Sequence, residues 1–439
     1  MSDVSGIAQT LESIVGSSGV KTWENLKGEE RLLAGSSQST CLIAALAPNS
    51  LVQCIAYPKT LEELSEVLAC ADANRWRVLP CGQGSKLHWG GLGEVDLGVS
   101  TARLNRLIDH AVGDLTVTAE AGMKVADLQL ELAKGGQFLA IDPSYSATAT
   151  LGGIVATGDT GALRQRYGGI RDMLIGLSFV RSDGAIAKAG GRVVKNVAGY
   201  DLMKLFTGSY GTLGIINQVT FRVYPLPAAA RTVMLQGDAG AIAEVTKILL
   251  ASALTPTAIA LLPAQIGVDS MGLLIRFQNI EVSVEQQAAR LLQVGEALGL
   301  KGQAWAGIEE AQLWQQLQEQ IETHTPAFPI ACKIGVLPSK AVETLVQMRA
   351  IASVTGCIYA GSGLGMLRFS NLTAPALLRL RDLCQAQGGF LTVLEAPISL
   401  KQTVDVWGYS GNALELMRKI KTQFDPKNLL SPRRFVGGI

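Results

Sequence analysis

The stretch that most restricts how this chain can fold runs from Ile141 to Gly169, IDPSYSATATLGGIVATGDTGALRQRYGG. It opens on a turn signal, Asp142-Pro143, and carries glycines at Gly152, Gly153, Gly158, Gly161, Gly168 and Gly169. Glycine gives up more conformational freedom on folding than any other residue, so a run of glycines points to bare backbone or positive φ. The stretch is too apolar and too weakly charged for a solvated linker, and too poor in large side chains for a core of its own. On these residues alone two readings stay open. One is a cradle for a flat, phosphate-bearing ligand laid along the backbone; the other is a set of buried turns packed on another element.

The totals narrow the field. A chain of 439 residues folds as two or three domains with a large core. Lys+Arg 38 against Asp+Glu 37 leaves a net charge of +1, which gives no electrostatic case for nucleic acid. No apolar run reaches the roughly eighteen residues of a membrane span. The N-terminus lacks the charged-then-apolar order of a secretory signal. Seven cysteines (Cys41, Cys54, Cys70, Cys81, Cys332, Cys357, Cys384) are scattered without a C-x-x-C. They read as reduced, buried thiols of a cytoplasmic protein, and not as ligands of an iron–sulfur cluster held by this chain alone. The three histidines, His88, His110 and His324, show no paired spacing, so no metal site is expected.

In order along the chain, residues 1–50 read as a lead-in with an amphipathic helix near Ile7–Val15. Val52–Tyr57 is β-prone. Thr60-Leu-Glu-Glu63 is a capping box opening a helix to about Ala73. Val78–Leu79 is a buried strand feeding Pro80-Cys81-Gly82-Gln83-Gly84-Ser85-Lys86, a loop whose amides, hydroxyl and lysine suit a pyrophosphate. It is neither a Walker A loop nor G-x-G-x-x-G, because position 87 is Leu. Strands are expected at 115–120, 174–181, 185–189 and 219–224, and a helix at 125–134. Pro225 and Pro227 mark a domain boundary. Beyond it the order is strand 232–236, helix 240–252, strands 257–262 and 272–277, and helix 284–298, the last with a capping box at Ser283/Gln286. After an amphipathic helix near 309–321 a similar order returns: strand 330–336, helix 340–351, strands 357–360 and 364–369, helix 374–387, strand 390–394. A βαββα order met twice predicts an antiparallel sheet with helices on one face, of ferredoxin-like type. The apolar residues of the tail, Phe424, Leu429, Leu430 and Phe435, predict that it docks back on the body.

Taken together, Gly82-Gln83-Gly84, residues 147–161, Arg166-Tyr167-Gly168 and Gly211-Thr-Leu-Gly214-Ile215 resemble the vanillyl-alcohol-oxidase-type (PCMH-type) flavoproteins. Val194-Lys-Asn-Val-Ala-Gly-Tyr-Asp-Leu202 is similar to the smaller FAD-binding subunit of bacterial glycolate oxidase. The resemblance implies an α+β protein: a two-subdomain FAD domain at 51–227, an α+β ferredoxin-like cap at 228–413, and a segment 414–439 returning to the FAD domain. Carried over, it implies that Pro80, Gly82, Gln83, Gly84 and Ser85 hold the pyrophosphate side of FAD. Thr148, Gly152, Gly153, Gly158 and Gly161 would line the second wall and Ile215 would lie by the adenine end, with Asp142, Leu151, Tyr167 and Gly214 as further cofactor-binding residues. Relatives with a covalent flavin have histidine where Ser85 stands, which implies a non-covalent FAD. Cap histidines of related catalytic subunits are absent from Gly361-Ser-Gly-Leu-Gly365, and the family's tail motif reads Ser431-Pro-Arg-Arg434.

Oxidising a 2-hydroxy acid requires a carboxylate clamp and a base for the hydroxyl proton. Arg368 and Arg434 are the clamp candidates, because the guanidinium fork suits a carboxylate; each is equally readable as one half of an ion pair. Glu395 is the base candidate, or simply a strand-end carboxylate. Two functions from different classes follow. The chain oxidises glycolate or D-lactate at its own FAD beside a homologous FAD subunit and an iron–sulfur subunit, or it is a non-catalytic flavin-bearing or scaffold subunit of such a complex. An unrelated FAD oxidoreductase acting on another alcohol is the third reading.

Overall fold

A computed structural model of the chain describes residues 4–23, 42–48, 50, 52–192, 199–263, 270–323 and 325–439. Cys41, residues 193–198 of the glycolate-oxidase-like stretch, and His324 lie outside the described residues, as does much of the lead-in. Two compact units emerge. The first comprises Met1–Thr160, Gly169–Pro225 and Tyr409–Ile439; the second comprises Gly161–Gly168 and Leu226–Gly408.

The first unit carries two main sheets. One has strands β1 (Val20–Thr22), β2 (Cys54–Ala56), β3 (Val78–Cys81) and β4 (Leu97–Ser100) in the order β1-β2-β4-β3. β2, β4 and β3 run parallel, and such buried strands are expected to be apolar throughout. Helix α1 (Val4–Val15) and helix α2 (Leu61–Asn74) pack into the core beside them. In α2, Leu64, Val67, Leu68 and Ala71 recur at helical spacing and are fully buried. Burial of each Leu or Val contributes about 1.5–3 kcal/mol. The capping box forms only in part. Thr60 accepts from the Glu63 amide at 3.1 Å, but the Glu63 carboxylate reaches one residue further back, to the Lys59 amide at 2.8 Å.

The second sheet is antiparallel, in the order β5-β6-β10-β8-β9. Its strands are β5 (Leu107–Ala111), β6 (Thr116–Glu120), β8 (Leu174–Val180), β9 (Ile186–Gly190) and β10 (Ile215–Arg222); β7 (Gln137–Phe138) pairs separately with β11 (Tyr224–Pro225). Helix α3 (Val125–Lys134) has the predicted bounds, and helix α4 (Leu151–Thr157) occupies the centre of the glycine stretch.

The tail docks on this unit. Val78 donates to Leu429 O at 2.8 Å and Ser431 donates to Val78 O at 2.9 Å, so the tail extends the first sheet beyond β3. Leu430 is fully buried. Buried Lys421 donates to Asp425, to Thr212 O and to Leu430 O, while Asp425 accepts from the amides of Leu429 and Leu430. Every member of this buried network has partners, the condition under which buried charge is tolerated.

The second unit is one eight-stranded sheet in the order β15-β12-β14-β13-β17-β18-β16-β19. Its first half is β12 (Ala229–Gly237), helix α5 (Ala239–Ala251), β13 (Ala258–Leu262), β14 (Met271–Asn279), helix α6 (Glu281–Ala297) and β15 (Lys301–Ala306). Its second half is β16 (Ile330–Gly335), helix α8 (Ala341–Ile351), β17 (Val354–Tyr359), β18 (Leu364–Phe369), helix α9 (Ala374–Ala386) and β19 (Phe390–Glu395). Each half is βαββαβ with its own strands in the order 4-1-3-2, and the halves join edge to edge through β13 and β17.

Strand β15 is absent from the sequence reading because KGQAWA lacks apolar alternation; pairing with β12 creates it. The proposed capping box at Ser283 does not form. The helix begins at Glu281, placing Ser283 inside its first turn, where its hydroxyl accepts from Gln287.

Helix α7 (Gly307–Glu322) joins the halves and lies on the sheet face opposite the other four helices. Ile259, Leu261, Leu273 and Ile275 face those four, whereas Ala260 and Leu274 meet Leu317 and Ile321 of α7. Two arginines fasten it. Arg276 on β14 stands opposite Thr232 and Ala258, and Arg368 on β18 stands opposite Ala331 and Thr355, so they occupy equivalent positions of the two halves. Arg276 donates to Glu310 in the first turn of α7, and Arg368 donates to the carbonyls of Ile321 and Glu322 at its end. No helix among the described residues is long and apolar enough to cross a membrane.

Candidate functional site

Within the first unit, the loop after β3, helix α4 and the turn before β10 line a pocket that opens to solvent. Gly82 shows why the loop must be bare. A Cβ there would lie 2.1 Å from Thr150 Oγ1, and Thr150 cannot simply turn away because its hydroxyl caps α4, accepting from the Gly153 amide at 3.3 Å. At the other end of α4, Gly158 takes φ +58 and closes the helix in the left-handed conformation.

The lining is mostly backbone and small side chains. Two cations, Lys86 and Arg434, line the cavity, and no carboxylate does among the described residues. Lys86 Nζ and Ser209 Oγ are buried without hydrogen-bond partners. Buried polar atoms are rarely left so unless a ligand or water completes them. Burial holds the Arg434 guanidinium below its ordinary value, at about 10, with Tyr210 acting in the opposite sense. Burial, then the Asp159 carboxylate, push the Tyr210 phenol up. Bare amides, inward cations and unmatched donors together fit a phosphate-bearing dinucleotide such as FAD.

The structure gathers only part of the predicted set. Pro80, Gly82, Gln83, Gly84 and Ser85 line the cavity, as do Gly152, Gly153, Gly214 and Ile215. Leu151 is instead fully buried, Gly158 has Gly208 as its neighbour, and neither lines the cavity. Asp142 is half-buried away from the lining; Thr148 is exposed, its hydroxyl directed at Tyr145 O. Gly161 and Tyr167 belong to the second unit. His88 Nε2 lies 3.2 Å from the Tyr145 hydroxyl, edge-on to that ring.

Thr101, Thr150, Thr157, Ser209, Tyr210 and Gly211 also line the cavity, although the sequence reading does not place them among the cofactor-binding residues. A signal for Thr150 was present, since a threonine directly before Leu-Gly-Gly reads as an N-cap. Ser209 and Tyr210 carried no such signal.

The catalytic candidates fall in both units. Arg368 and Glu395 meet in the second, with Arg368 Nη2 2.9 Å from each carboxylate oxygen, and they are 2% and 8% exposed. Arg434 belongs to the first unit. Its Nη1 donates to the carbonyls of Ala45 and Gly91 and its Nη2 to those of Leu87 and Trp89, all between 2.6 and 3.1 Å. Its terminal N–H groups thus tie the tail to the segment around Ala45 and to the loop after β3. Among the described residues no His, Cys, Asp and Glu side chains gather in a group of three or more suited to a metal.

Comparison with known proteins agrees with this geometry. Residues 52–190 match a family model described as an FAD binding domain. The chain is 25% identical over 426 residues to glycolate oxidase subunit GlcD of Bacillus subtilis (strain 168), covering 87% of this chain and 88% of the relative. It is 35% identical over 219 residues to glycolate oxidase subunit GlcE of Escherichia coli (strain K12), covering 49% and 56%. The solved structure of 4-ethylphenol oxidase from Gulosibacter chungangensis superposes with a TM-score of 0.73 at 14% identity, covering 98% of this chain and 96% of the other. At that identity the likeness is one of fold.

Proposed function

Because the chain belongs to the vanillyl-alcohol-oxidase-type (PCMH-type) FAD-binding flavoproteins and is related to the bacterial glycolate oxidase subunits GlcE and GlcD, we propose that it is the FAD-binding subunit of a glycolate-oxidase-like complex. Its substrate would be a small 2-hydroxy acid, glycolate or D-lactate. The observation that supports this most is the first unit's cavity, with its bare backbone, two cations and unmatched buried donors. In this reading 51–227 is the FAD domain, 414–439 returns to it, and 228–413, with its paired βαββαβ halves, is the ferredoxin-like cap. The amides of Gly82–Ser85 hold the diphosphate, and the Thr150–Gly153 turn forms the facing wall.

Bound FAD supplies the hydride acceptor. The chain's own residues must bind the substrate carboxylate and take its hydroxyl proton; Arg368, Arg434 and Glu395 are the groups we propose for those tasks. Each would first exchange a present partner. With serine at position 85 the FAD is held non-covalently, so acid precipitation is expected to leave the flavin in the supernatant. Partners would be a homologous FAD subunit with cap histidines and an iron–sulfur subunit, in the cytoplasm.

The mutual pairing of Arg368 and Glu395 favours the second reading, in which this subunit carries flavin or scaffolds the complex while a partner performs the oxidation. Anaerobic glycolate separates the two. Bleaching of the isolated, flavin-loaded subunit supports catalysis here. Bleaching only in the reconstituted complex supports the carrier reading. A protein that neither contains nor takes up flavin defeats the catalytic and the flavin-carrier readings and leaves only the scaffold.

A further inference from the structure

The glycines of Gly90-Gly91-Leu92-Gly93 do not line the cavity, so the cofactor reading leaves them without a purpose. The tail supplies one. A Cβ at Gly91 would lie 2.5 Å from Arg433 O, and one at Gly93 would lie 3.0 Å from Arg434 Cγ. Gly91 also donates to Arg434 O at 3.0 Å. These bare positions are a bed on which the tail's main chain lies.

Residues 428–435 reach two walls of the cavity. On one side Arg434 bonds the carbonyl of Leu87, which lines it. On the other side the Phe435 ring stands 6.0 Å, centroid to centroid, from that of Tyr210. A Cβ at Gly211 would meet Pro80 Cγ at 3.2 Å and Ser431 Oγ at 3.3 Å. Pro80, Tyr210 and Gly211 line the cavity too. The tail therefore straps the loop after β3 to the turn before β10.

The docked strap is under strain. Ser431 and Arg433 hold φ of 48 and 65, a left-handed conformation that a Cβ disfavours. Asn428 holds φ 52, which asparagine tolerates better. Ser431 Oγ is buried without a hydrogen bond, a further cost of the docked state. Upstream the chain is firmly held, since Asp425 is buried and bonded to Lys421. Pro426, Lys427 and Asn428 between are exposed. A fixed anchor, an exposed connection and a strained end describe a segment that opens locally before the rest of the unit.

Resting on the reading of this cavity as the FAD site, we infer that residues 428–435 are a strap whose undocking frees the two walls and sets the rate at which the dinucleotide enters and leaves. Strain or a clash at residue 91 or 433, outside the lining, alters the docked strap equally with and without FAD. Such a change moves the association and dissociation rates by one factor and leaves Kd where it was.

The test uses the full chain as wild type, Gly91→Ala and Arg433→Asn. It measures FAD association and dissociation rates by flavin fluorescence, and hydrogen exchange of the tail. Gly91 has no left-handed φ that would itself resist a side chain, so its methyl group acts through the clash with Arg433 O. Both rates should rise together in Gly91→Ala, by about tenfold. Both should fall together in Arg433→Asn, by about three- to tenfold, because asparagine relieves the left-handed strain. The exposed ion pair of Arg433 with Glu94 that this variant loses carries little weight. Tail exchange should follow the same order as the rates.

Faster dissociation with association unchanged overturns the inference, for the tail is then only a contact that adds affinity. Wild-type rates in both variants overturn it as well. Should Gly91→Ala fail to fold, Arg433→Asn decides alone, by slowing both rates or not. Wild-type protein that takes up no FAD defeats the cofactor reading itself, a result distinct from a strap that does not gate exchange.

Discussion

The cavity wall of the first unit and the arginine anchors of the second both hold buried polar groups, yet they are built differently. In the second unit Arg276 with Glu310 and Arg368 with Glu395 are matched mainly by side chains and backbone of their own unit. Arg276 Nε and Arg368 Nη1 are left without hydrogen bonds. In the first, Lys86 Nζ stands 3.1 Å from Asp159 Oδ2 without a hydrogen bond, and Ser209 Oγ has none either. A buried polar group with partners costs little and fixes architecture, while one without partners costs the full desolvation of that group.

Breaking the anchors should give the largest effect. Arg368→Met leaves Glu395 buried without its cation and is expected to destabilise the protein by about 3–5 kcal/mol in chemical denaturation. The double variant Arg368→Met/Glu395→Met should recover most of that loss. If the single variant instead keeps full stability and abolishes glycolate-dependent bleaching of the complex, the pair is chemical and the contrast collapses.

The cradle is the next target. Gly82→Ala drives a methyl group against Thr150 and should cost about 1–3 kcal/mol of stability from overpacking. Flavin retention should fall further than that loss explains, as read by flavin absorbance per polypeptide. Unchanged flavin content with the same destabilisation would reduce the loop to ordinary turn packing.

The smallest effect is one of pH. Burial pushes the Cys54 thiol of the first unit and the Cys384 thiol of the second up to about 12, from an ordinary 9.0. Above pH 9 the unfolded chain loses these protons and the folded chain keeps them, so the stabilisation is whole below pH 9 and falls as pH rises toward 12. The slope is about 1.4 kcal/mol per pH unit for each thiol. Denaturant midpoints at about pH 8 and about pH 10 for Cys54→Ala and Cys384→Ala would show which unit carries more of the alkaline loss.

Much of the fold was legible in advance because it depends on local pattern. The bounds of α3, the apolar stripe of α2, the repeated βαββα order and the docking of Leu429 and Leu430 all follow from periodicity. Strand β15 was hidden because an exposed edge strand with polar residues and a glycine has no period to read. Half of the cradle was also legible. The bare loop Gly82–Ser85 and the pair Gly152-Gly153 betray close backbone approach. Ser209 and Tyr210 reach the cavity from far along the chain, and no spacing rule connects them to residue 82.

The sequence by itself determined which segments must be backbone without side chains, which faces are apolar, and that no local cluster of histidines and cysteines exists. Those properties reside in single residues and their near neighbours. The tertiary structure decided what the charged residues do. Arg368 and Glu395 stand 27 positions apart and meet only because strands β18 and β19 flank β16, while Arg434 finds Leu87 across 347 positions. Whether a buried charge is matched or left open depends on distances of a few ångströms between remote parts of the chain. Such distances are fixed by packing, which no one-dimensional pattern encodes.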